Sequence, residues 1–328
     1  FIFFLIVYIL SSLFITDSMR YITFVRNLST YISMFFIIII MNNVNVAWND
    51  INRFISSIVL TISFLGCLCI FVLLTGIDIH FESLTSNFIP DWIKKTTYGR
   101  NITYRSLGYN SWFLGLGQYF RLSSTFMFPT MYASALAMVI PFSLYLHSIS
   151  PKKLFYKCII CILLINILFT TGRVATLSLL IGYVLWKVFN QKNIFFIFSL
   201  AIASWFFIVF LLDNFNLYLE AFNNLLYARG GGSYSHRTAI YQETLKGFLS
   251  NPIIGWGTER DVAGLPSPAG SHSYYLGTLY KQGVVGFSCF ILILYALWCN
   301  TKIRNVEKSN FNVFNSYGRV IILVFIFN

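Results

Sequence analysis

The most regular feature of the chain is a series of long apolar runs separated by polar segments. About 20 mostly apolar residues are needed for a helix to cross a bilayer, and most of these runs approach that length. They predict spans near residues 1–16, 28–47, 54–76, 125–146, 154–171, 174–190, 194–212, 284–300 and 319–328. We therefore expect an all-α, polytopic transmembrane helix bundle that forms a single domain over residues 1–328.

Both ends of the sequence lie within apolar runs. The chain starts at Phe1 with a run that is short for a bilayer, and the last run has only begun when the sequence reaches Asn328. We expect the first and last spans to be partial, and the chain to be a portion of a longer protein that is truncated at both ends.

Composition strengthens the membrane assignment and removes other classes of protein. Hydrophobic residues make up 57% of the chain and charged residues 10%, whereas soluble domains carry about 25% charged residues. This excludes a soluble enzyme, a disordered chain and a disulfide-stapled secreted module. The formal net charge of +12 is scattered over the polar segments without a continuous basic face, so no nucleic acid partner is expected.

The lysines and arginines of the short connections predict the orientation of the spans, because short cytoplasmic loops are enriched in these residues. One set of connections carries Arg53, Lys152, Lys153, Lys157, Lys187, Lys192, Lys302, Arg304, Lys308 and Arg319. The opposite set carries only Arg20, Arg26 and Arg173. We place the first set in the cytoplasm, which makes both long polar segments, 77–124 and 213–283, extracytoplasmic loops.

The two long loops are predicted to lie along the membrane surface. Segment 98–120 is rich in Tyr, Trp and Phe, which is typical of an interfacial anchor. In the second loop, Ser235–Leu249 is predicted to form an amphipathic helix whose apolar side carries Ile240, Leu245 and Phe248. A further short helix is expected over 273–282, ahead of the 284–300 span.

Four polar residues are predicted to lie together at the outer ends of spans: Arg121, Arg173, Arg237 and His272. Each has an ordinary alternative role. Arg121 and Arg173 are placed where an arginine commonly snorkels to the membrane surface. Arg237 has Glu243 and Asp261 as possible ion-pair partners, and His272 by itself is a polar loop residue.

Three further residues of the second loop are secondary candidates. Glu259 and Asp261 flank Arg260 and are rival proton acceptors, although a solvated cluster of ion pairs explains them equally well. The ring of Tyr274 is suited to stacking on a sugar, and interfacial packing is its alternative role. The other histidines match no motif and are expected at the surface: His80, His147 and His236.

With these residues in place, the chain resembles the bacterial O-antigen ligase and polymerase-like membrane glycosyltransferases over about residues 118–300. The motifs that carry the resemblance are Arg121-Leu-Ser-Ser-Thr-Phe-Met-Phe-Pro129, Thr171-Gly-Arg173-Val-Ala, Ser235-His-Arg237, Asn251-Pro-Ile-Ile-Gly255-Trp-Gly257, His272-Ser-Tyr-Tyr and Gly283-Val-Val-Gly-Phe. Three positions depart from the family pattern without removing a charged group: Ser124 and Val174, each in place of Gly, and Ser273 in place of Asn.

The resemblance implies an enzyme of the bacterial inner membrane whose active site faces the periplasm. Family members transfer an oligosaccharide from undecaprenyl diphosphate to an acceptor hydroxyl. Guanidinium groups bind diphosphate oxygens in pairs, so Arg173 and Arg121 are assigned to the diphosphate and Arg237 is expected to close over it. His272 is assigned as the base, because imidazole accepts a proton near neutral pH.

No metal or other cofactor is predicted. The sequence has no Asp-x-Asp pair and no clustered spacing of His, Cys or carboxylate residues, and arginines replace a metal ion as the electrostatic stabiliser in this scheme. The expected partners are lipid-linked donor and acceptor oligosaccharides and the membrane lipids, with a chain-length regulator protein as a further candidate.

Four functions compete at this point. The leading interpretation is a polymerase that joins lipid-linked repeat units into O-antigen or capsular chains, since two long outer loops suit two lipid-linked substrates. A ligase that transfers the finished chain to a lipid A core needs the same donor chemistry. A flippase or other transporter predicts a polar pathway through the bundle, which the spans do not supply. A non-enzymatic scaffold leaves the Arg and His spacing as coincidence.

Overall fold

The structure is a computed structural model of the chain. It describes residues 1–43, 47–95, 97–112, 118–190, 232–265, 267–271, 273–300 and 309–327. The predicted span at 194–212 and the candidate base His272 lie outside the described residues.

Eleven α-helices are described, which agrees with the prediction of an all-α polytopic fold. In chain order they are α1 (Ile2–Ser11), α2 (Ser18–Asn43), α3 (Trp48–Thr75), α4 (Asp91–Lys94), α5 (Thr97–Thr103), α6 (Pro129–Ile149), α7 (Lys153–Thr170), α8 (Arg173–Asn190), α9 (Gly232–Ser250), α10 (Tyr274–Asn300) and α11 (Ser309–Phe327). Short 3-10 turns follow α1 at Ser12–Phe14 and precede α4 at Leu84–Phe88.

Five helical segments of the described residues are long and apolar enough to cross a membrane. They are Arg20–Ile40, Trp48–Thr75, Pro129–Ile149, Lys153–Thr170 and Tyr274–Cys299. Three shorter apolar helices accompany them: Ile2–Phe14, Arg173–Leu185 and Tyr317–Ile326. The chain is therefore a multi-pass membrane protein.

The first long loop contains two antiparallel strand pairs that the sequence patterns did not predict. Strands β1 (His80–Glu82) and β2 (Tyr104–Ser106) pair with His80 opposite Ser106. Strands β3 (Gly108–Trp112) and β4 (Gln118–Leu122) pair with Tyr109 opposite Arg121. The aromatic residues that suggested an interfacial anchor also favour extended backbone, and composition alone does not separate the two.

The chain divides into two compact units. Unit 1 consists of Phe1–Val46 and Asn216–Cys299, and unit 2 consists of Ala47–Phe215 and Asn300–Asn328.

The core of unit 2 is built around α6, which packs against α3, α7, α8 and α11. A buried amide crosslinks three of its helices: Asn166 of α7 accepts a hydrogen bond from the Tyr132 hydroxyl (3.1 Å) and donates to the Gly66 carbonyl (3.1 Å). The second Nδ2 hydrogen bond of Asn166 goes to the Ile162 carbonyl at 2.8 Å. In hydrocarbon an unpaired amide is costly, so this fully engaged side chain fixes how α3, α6 and α7 meet.

In unit 1, aromatic rings join α1 to α2. The rings of Tyr8 and Phe24 stack with centroids 4.7 Å apart, and Phe4 meets Tyr31 edge to face at 5.3 Å. Such pairs add to the dispersion contacts that hold membrane helices together.

The amphipathic helix of the second loop is present as α9, and its predicted apolar side is buried in part. Ile240 is buried and Phe248 is half-buried, whereas Leu245 is 48% exposed. The inward face also carries Thr244, whose hydroxyl accepts a hydrogen bond from the Gly270 amide at 2.9 Å. The pattern rule assumes that apolar side chains avoid the outside of a protein, and that assumption fails where the surroundings are apolar or interfacial.

The short helix expected at 273–282 and the span expected from residue 284 are one helix, α10, interrupted at Gly283. There the backbone has φ 62° and ψ −169°, values that are outside the helical region. The kink arises because glycine alone tolerates that conformation without a steric penalty.

Candidate functional site

The candidate arginines of unit 2 meet at one turn. Arg121, near the end of β4, donates a hydrogen bond from Nε to the carbonyl of Thr170 at 2.8 Å. Thr170 is the last residue of α7, and Arg173 begins α8 three residues later. The structure therefore places Arg121 beside the turn that carries Arg173, as the resemblance implied.

Local geometry explains why residues 170–173 turn so tightly. Thr171, the residue after the end of α7, adopts the left-handed conformation, with φ 51°. Gly172 follows with no room for a side chain, because a Cβ there would lie 2.3 Å from the Cβ of Ala133 in α6. The turn is consequently anchored to the core of unit 2.

Arg173 is presented to the outside by this anchored turn. Its side chain is exposed, and among the described residues it forms no side-chain hydrogen bond or ion pair. A guanidinium in that state has all of its donors available to an anionic ligand. Arg121 is half-buried, and its Nε already donates a hydrogen bond to the Thr170 carbonyl.

In unit 1, the Asn-Pro-Ile-Ile-Gly-Trp-Gly motif is a backbone clasp on α10. We use "clasp" for residues 251–257 and their contacts with residues 280–285. The amides of Trp256 and Gly257 donate to the carbonyls of Tyr280 (2.9 Å) and Lys281 (2.8 Å), and the amide of Val284 donates to the Pro252 carbonyl (2.8 Å). These bonds use the backbone groups that the kink at Gly283 releases from the helix.

The glycines of the clasp are required by close backbone approach. A Cβ on Gly283 would lie 2.1 Å from the Ile253 carbonyl oxygen, and one on Gly255 would lie 2.6 Å from the amide nitrogen of Gln282. Both glycines also have positive φ. Two motifs that lie almost 30 residues apart in the sequence are therefore the two halves of one structural joint.

Side chains of the motif close the same joint. The side-chain Nδ2 of Asn251 donates to the Gly255 carbonyl at 2.6 Å, and the indole N–H of Trp256 donates to the Gly247 carbonyl of α9 at 2.7 Å. Asn251 and Trp256 thus stabilise the turn and its attachment to α9, which is a structural role.

The segment that follows the clasp carries three charged residues. Glu259 pairs with Lys281 of α10, at 3.4 Å between Oε1 and Nζ. Arg260 lies over the Trp256 ring, with its Cζ 5.7 Å from the centroid, while Asp261 is exposed. The amide and carbonyl of Arg260 pair with those of Ala269 at 3.1 and 2.8 Å. For Glu259, these contacts fit the ion-pair alternative.

The contacts of Arg237 and Tyr274 do not decide between a role in substrate binding and a structural role. Arg237 is exposed on the first half of α9, and Glu243, one of its two proposed partners, instead accepts from Lys246 at 2.6 Å. The ring of Tyr274 is more than half exposed and lies 5.1 Å from that of Phe290. Aromatic packing along α10 is thus present, and a sugar contact for Tyr274 stays a prediction.

Sequence reasoning missed Arg20 of α2. Its guanidinium donates to the carbonyls of Trp256 (2.9 Å), Glu259 (3.1 Å) and Thr258 (3.4 Å). The only sequence signal was an arginine next to a long apolar run, which is also typical of a simple anchor.

The predicted site residues thus fall into two groups. Arg121 and the turn with Arg173 belong to unit 2, while Arg237, Glu259, Asp261 and Tyr274 belong to unit 1. That these groups and His272 form one site stays a prediction.

Multiple apolar spans, together with an exposed arginine at the tight turn between α7 and α8, define a polytopic membrane protein with a candidate anion-binding position. Residues 158–291 of this chain match the protein family described as O-antigen ligase, which confirms the resemblance over that segment. Proteins of that family are inner-membrane enzymes that act on lipid-linked polysaccharides. The matched segment contains Arg173, Arg237, Glu259 and His272, and Arg121 lies before it. No curated protein and no solved structure matches the chain.

Proposed function

We propose that the protein is an O-antigen or capsular polysaccharide polymerase. It transfers the growing glycan from undecaprenyl diphosphate to a sugar hydroxyl of a lipid-linked repeat unit at the periplasmic face of the inner membrane. The observation that carries glycan transfer is the family match over 158–291, supported by the hydrogen bond of Arg121 to the turn that presents Arg173. The polymerase is preferred because the two long loops, 77–124 and 213–283, suit two lipid-linked substrates.

The proposed chemistry divides the charged groups by task. The bond between the anomeric carbon and the diphosphate oxygen breaks, and the bonding electrons leave with the diphosphate. Arg173 and Arg121 stabilise that anion, and Arg237 closes over it. The acceptor hydroxyl oxygen forms the new bond to the anomeric carbon, and His272 accepts the hydroxyl proton.

Two features support arginine rather than a metal ion as the stabiliser in this proposal. The Arg173 side chain is exposed at an anchored turn, and planar guanidinium groups match diphosphate oxygens with paired donors. Activity is consequently expected to persist in a chelator such as EDTA.

A ligase is the second candidate, and the description of the matched family favours it. The ligase would use the same donor residues and would differ in its acceptor, a lipid A core. Its active-site requirements are otherwise those given above.

A transfer assay with the purified protein in lipid tests the proposal. Incubation with a diphosphate-linked repeat unit is expected to give a ladder of longer chains. His272→Ala is expected to lower the rate by about 100-fold or more, the usual contribution of a general base. Glu259→Gln is expected to keep most of the activity, because that carboxylate is paired with Lys281.

Each alternative result has a distinct meaning. Transfer only to a lipid A core would identify the ligase. A large loss of transfer rate with Glu259→Gln and no loss with His272→Ala would identify Glu259 as the base in place of His272. Absence of transfer to either acceptor would overturn the proposed function.

A further inference from the structure

Arg20 of α2 is a cation whose hydrogen bonds go to backbone carbonyls. Its Nη2 donates to the carbonyls of Trp256 and Thr258, and its Nε donates to that of Glu259. The three acceptors lie within four consecutive residues, and all of these groups are in unit 1. The guanidinium is only partly accessible.

We propose that Arg20 is a positioning residue that holds residues 256–260 in the conformation that glycan transfer requires. The proposal rests on the proposed function. It goes beyond it, because Arg20 lies outside both the matched segment and the motifs that carry the resemblance.

The geometry separates this role from that of a membrane anchor. An arginine that anchors a span extends its guanidinium towards lipid headgroups and water. Arg20 instead reaches across more than 200 residues of sequence to a single loop. A planar fork with five donors can serve several carbonyls at once, whereas an ammonium group has no fixed fork.

The carbonyls that Arg20 binds belong to a loop in which two backbone amides already donate hydrogen bonds. The amides of Trp256 and Gly257 donate to α10, so the clasp fixes one side of the chain. Arg20 binds the carbonyls of Trp256 and Thr258, and in the trans peptide between Trp256 and Gly257 the carbonyl points away from the amide that donates to α10. Without Arg20 these partly buried carbonyls would lose their charged partner, and the loop would be held on one side only.

The held loop carries the charged residues Glu259 and Arg260. Glu259 reaches Lys281, Arg260 lies over Trp256, and the Arg260–Ala269 backbone pair leads to the sequence that contains His272 three residues later. A loop released at residues 256–260 would therefore loosen the segment of chain that leads to His272, the proposed base. Catalysis is sensitive to small shifts of such a group, even when substrate binding changes little.

The test combines hydrogen exchange with kinetics on the full chain in lipid nanodiscs. Arg20→Gln removes the charge and the fork, and Arg20→Lys keeps the charge alone. The matched control is Arg26→Gln, which changes an exposed arginine of the same helix. Exchange of the Trp256 and Gly257 amides reports on the loop, and the amides of α6 report that unit 2 stays folded.

For Arg20→Gln we expect loop exchange to become at least about tenfold faster and kcat to fall at least about tenfold, the order expected when hydrogen bonds to a charged group are lost. KM for the donor is expected to change by less than about twofold, because Arg20 is not assigned to substrate. Arg20→Lys is expected to give intermediate values of both exchange and kcat. Arg26→Gln is expected to match the wild type.

Two results would overturn the proposal. Unchanged loop exchange in Arg20→Gln would show that Arg20 does not hold the loop, and faster exchange with unchanged kcat would show that transfer does not need the hold. A wild-type protein that transfers no glycan would overturn the proposed function. The exchange measurement would then still decide whether Arg20 holds the loop, so the two failures are distinguishable.

Discussion

At the scale of single residues, arginines of similar sequence context have different tasks. Arg20, Arg121 and Arg173 all lie beside apolar runs. Arg20 and Arg121 donate to backbone carbonyls, whereas Arg173 is exposed with its side chain unengaged among the described residues. Contacts, rather than position beside a span, distinguish Arg20 and Arg121, which hold backbone carbonyls, from Arg173, which forms no such contact among the described residues.

The availability of Arg173 leads to a prediction about the shape of its side chain. Arg173→Lys keeps the charge but loses the planar pair of donors, so we expect the transfer rate to fall at least about tenfold, as for the loss of a charge-assisted hydrogen bond. The rate is measured in the assay described above. Arg26→Lys, the same change at an exposed position of α2, is expected to leave the rate unchanged.

Full activity of Arg173→Lys would contradict the bidentate role of Arg173. It would leave a role as a point charge, and Arg173→Ala in the same assay would then decide whether any positive charge is needed.

At the scale of elements, the joint between the clasp and α10 explains two motifs at once. The kink at Gly283 leaves backbone amides and carbonyls of α10 without partners inside the helix. The backbone around Gly255 supplies those partners. Glycine at both positions allows the two backbones to approach within hydrogen-bonding distance. The role that the structure shows for these residues is to shape the loop.

A glycine substitution tests this joint. Gly283→Ala is expected to destabilise the protein by about 2 kcal/mol or more, because the new methyl group meets the Ile253 carbonyl and the backbone has positive φ. The quantity to measure is the thermal denaturation midpoint in detergent, or loss of the folded fraction where denaturation is irreversible.

Gly264→Ala is the matched control for that experiment. Gly264 also has positive φ, at 84°, but a Cβ there would have no atom within 4 Å. Its cost is therefore limited to backbone strain, about 1 kcal/mol. Equal destabilisation by the two substitutions would show that steric contact at the joint is unimportant.

Helix α9 shows what the sequence could predict for an element and what it could not. Its existence followed from residues 235–249, and the structure gives Gly232–Ser250. Its buried face followed only in part: Ile240 is buried as predicted, but Thr244 and Gly247 face the contacts with Gly270 and Tyr280 while Leu245 is exposed. Which face is buried depends on the partner, and the partner lies elsewhere in the sequence.

At the scale of the whole molecule, contacts within each unit agree with the predicted alternation of the chain. In unit 1, Arg20 of the first predicted outer connection binds the second long loop. In unit 2, Arg121 at the end of the first long loop binds the turn between α7 and α8. Near the start of α3 and the end of α6, which the prediction places on the other side of the membrane, the Tyr145 hydroxyl of α6 donates to Asn52 of α3 at 2.7 Å. Which side is periplasmic stays a prediction from the basic residues.

Labelling of single cysteines tests that orientation. In a variant whose six native cysteines are replaced, Ser250→Cys in the second long loop is expected to react with a membrane-impermeant maleimide added outside intact spheroplasts. Lys152→Cys is expected to react only after the membrane is opened, because its connection is rich in lysine. The reverse pattern would place both long loops in the cytoplasm and exclude a periplasmic active site.

The sequence by itself determined the class of protein, the apolar segments and the kind of chemistry to look for. These follow from composition and local spacing, since a bilayer selects long apolar helices and a diphosphate selects guanidinium groups. The tertiary structure decided that Arg173 is exposed and unengaged among the described residues, which faces are buried, and that the Asn-Pro and Gly-Val-Val-Gly motifs are one joint. Those properties depend on which distant backbone carbonyls and amides meet each residue, and local sequence does not encode that pairing.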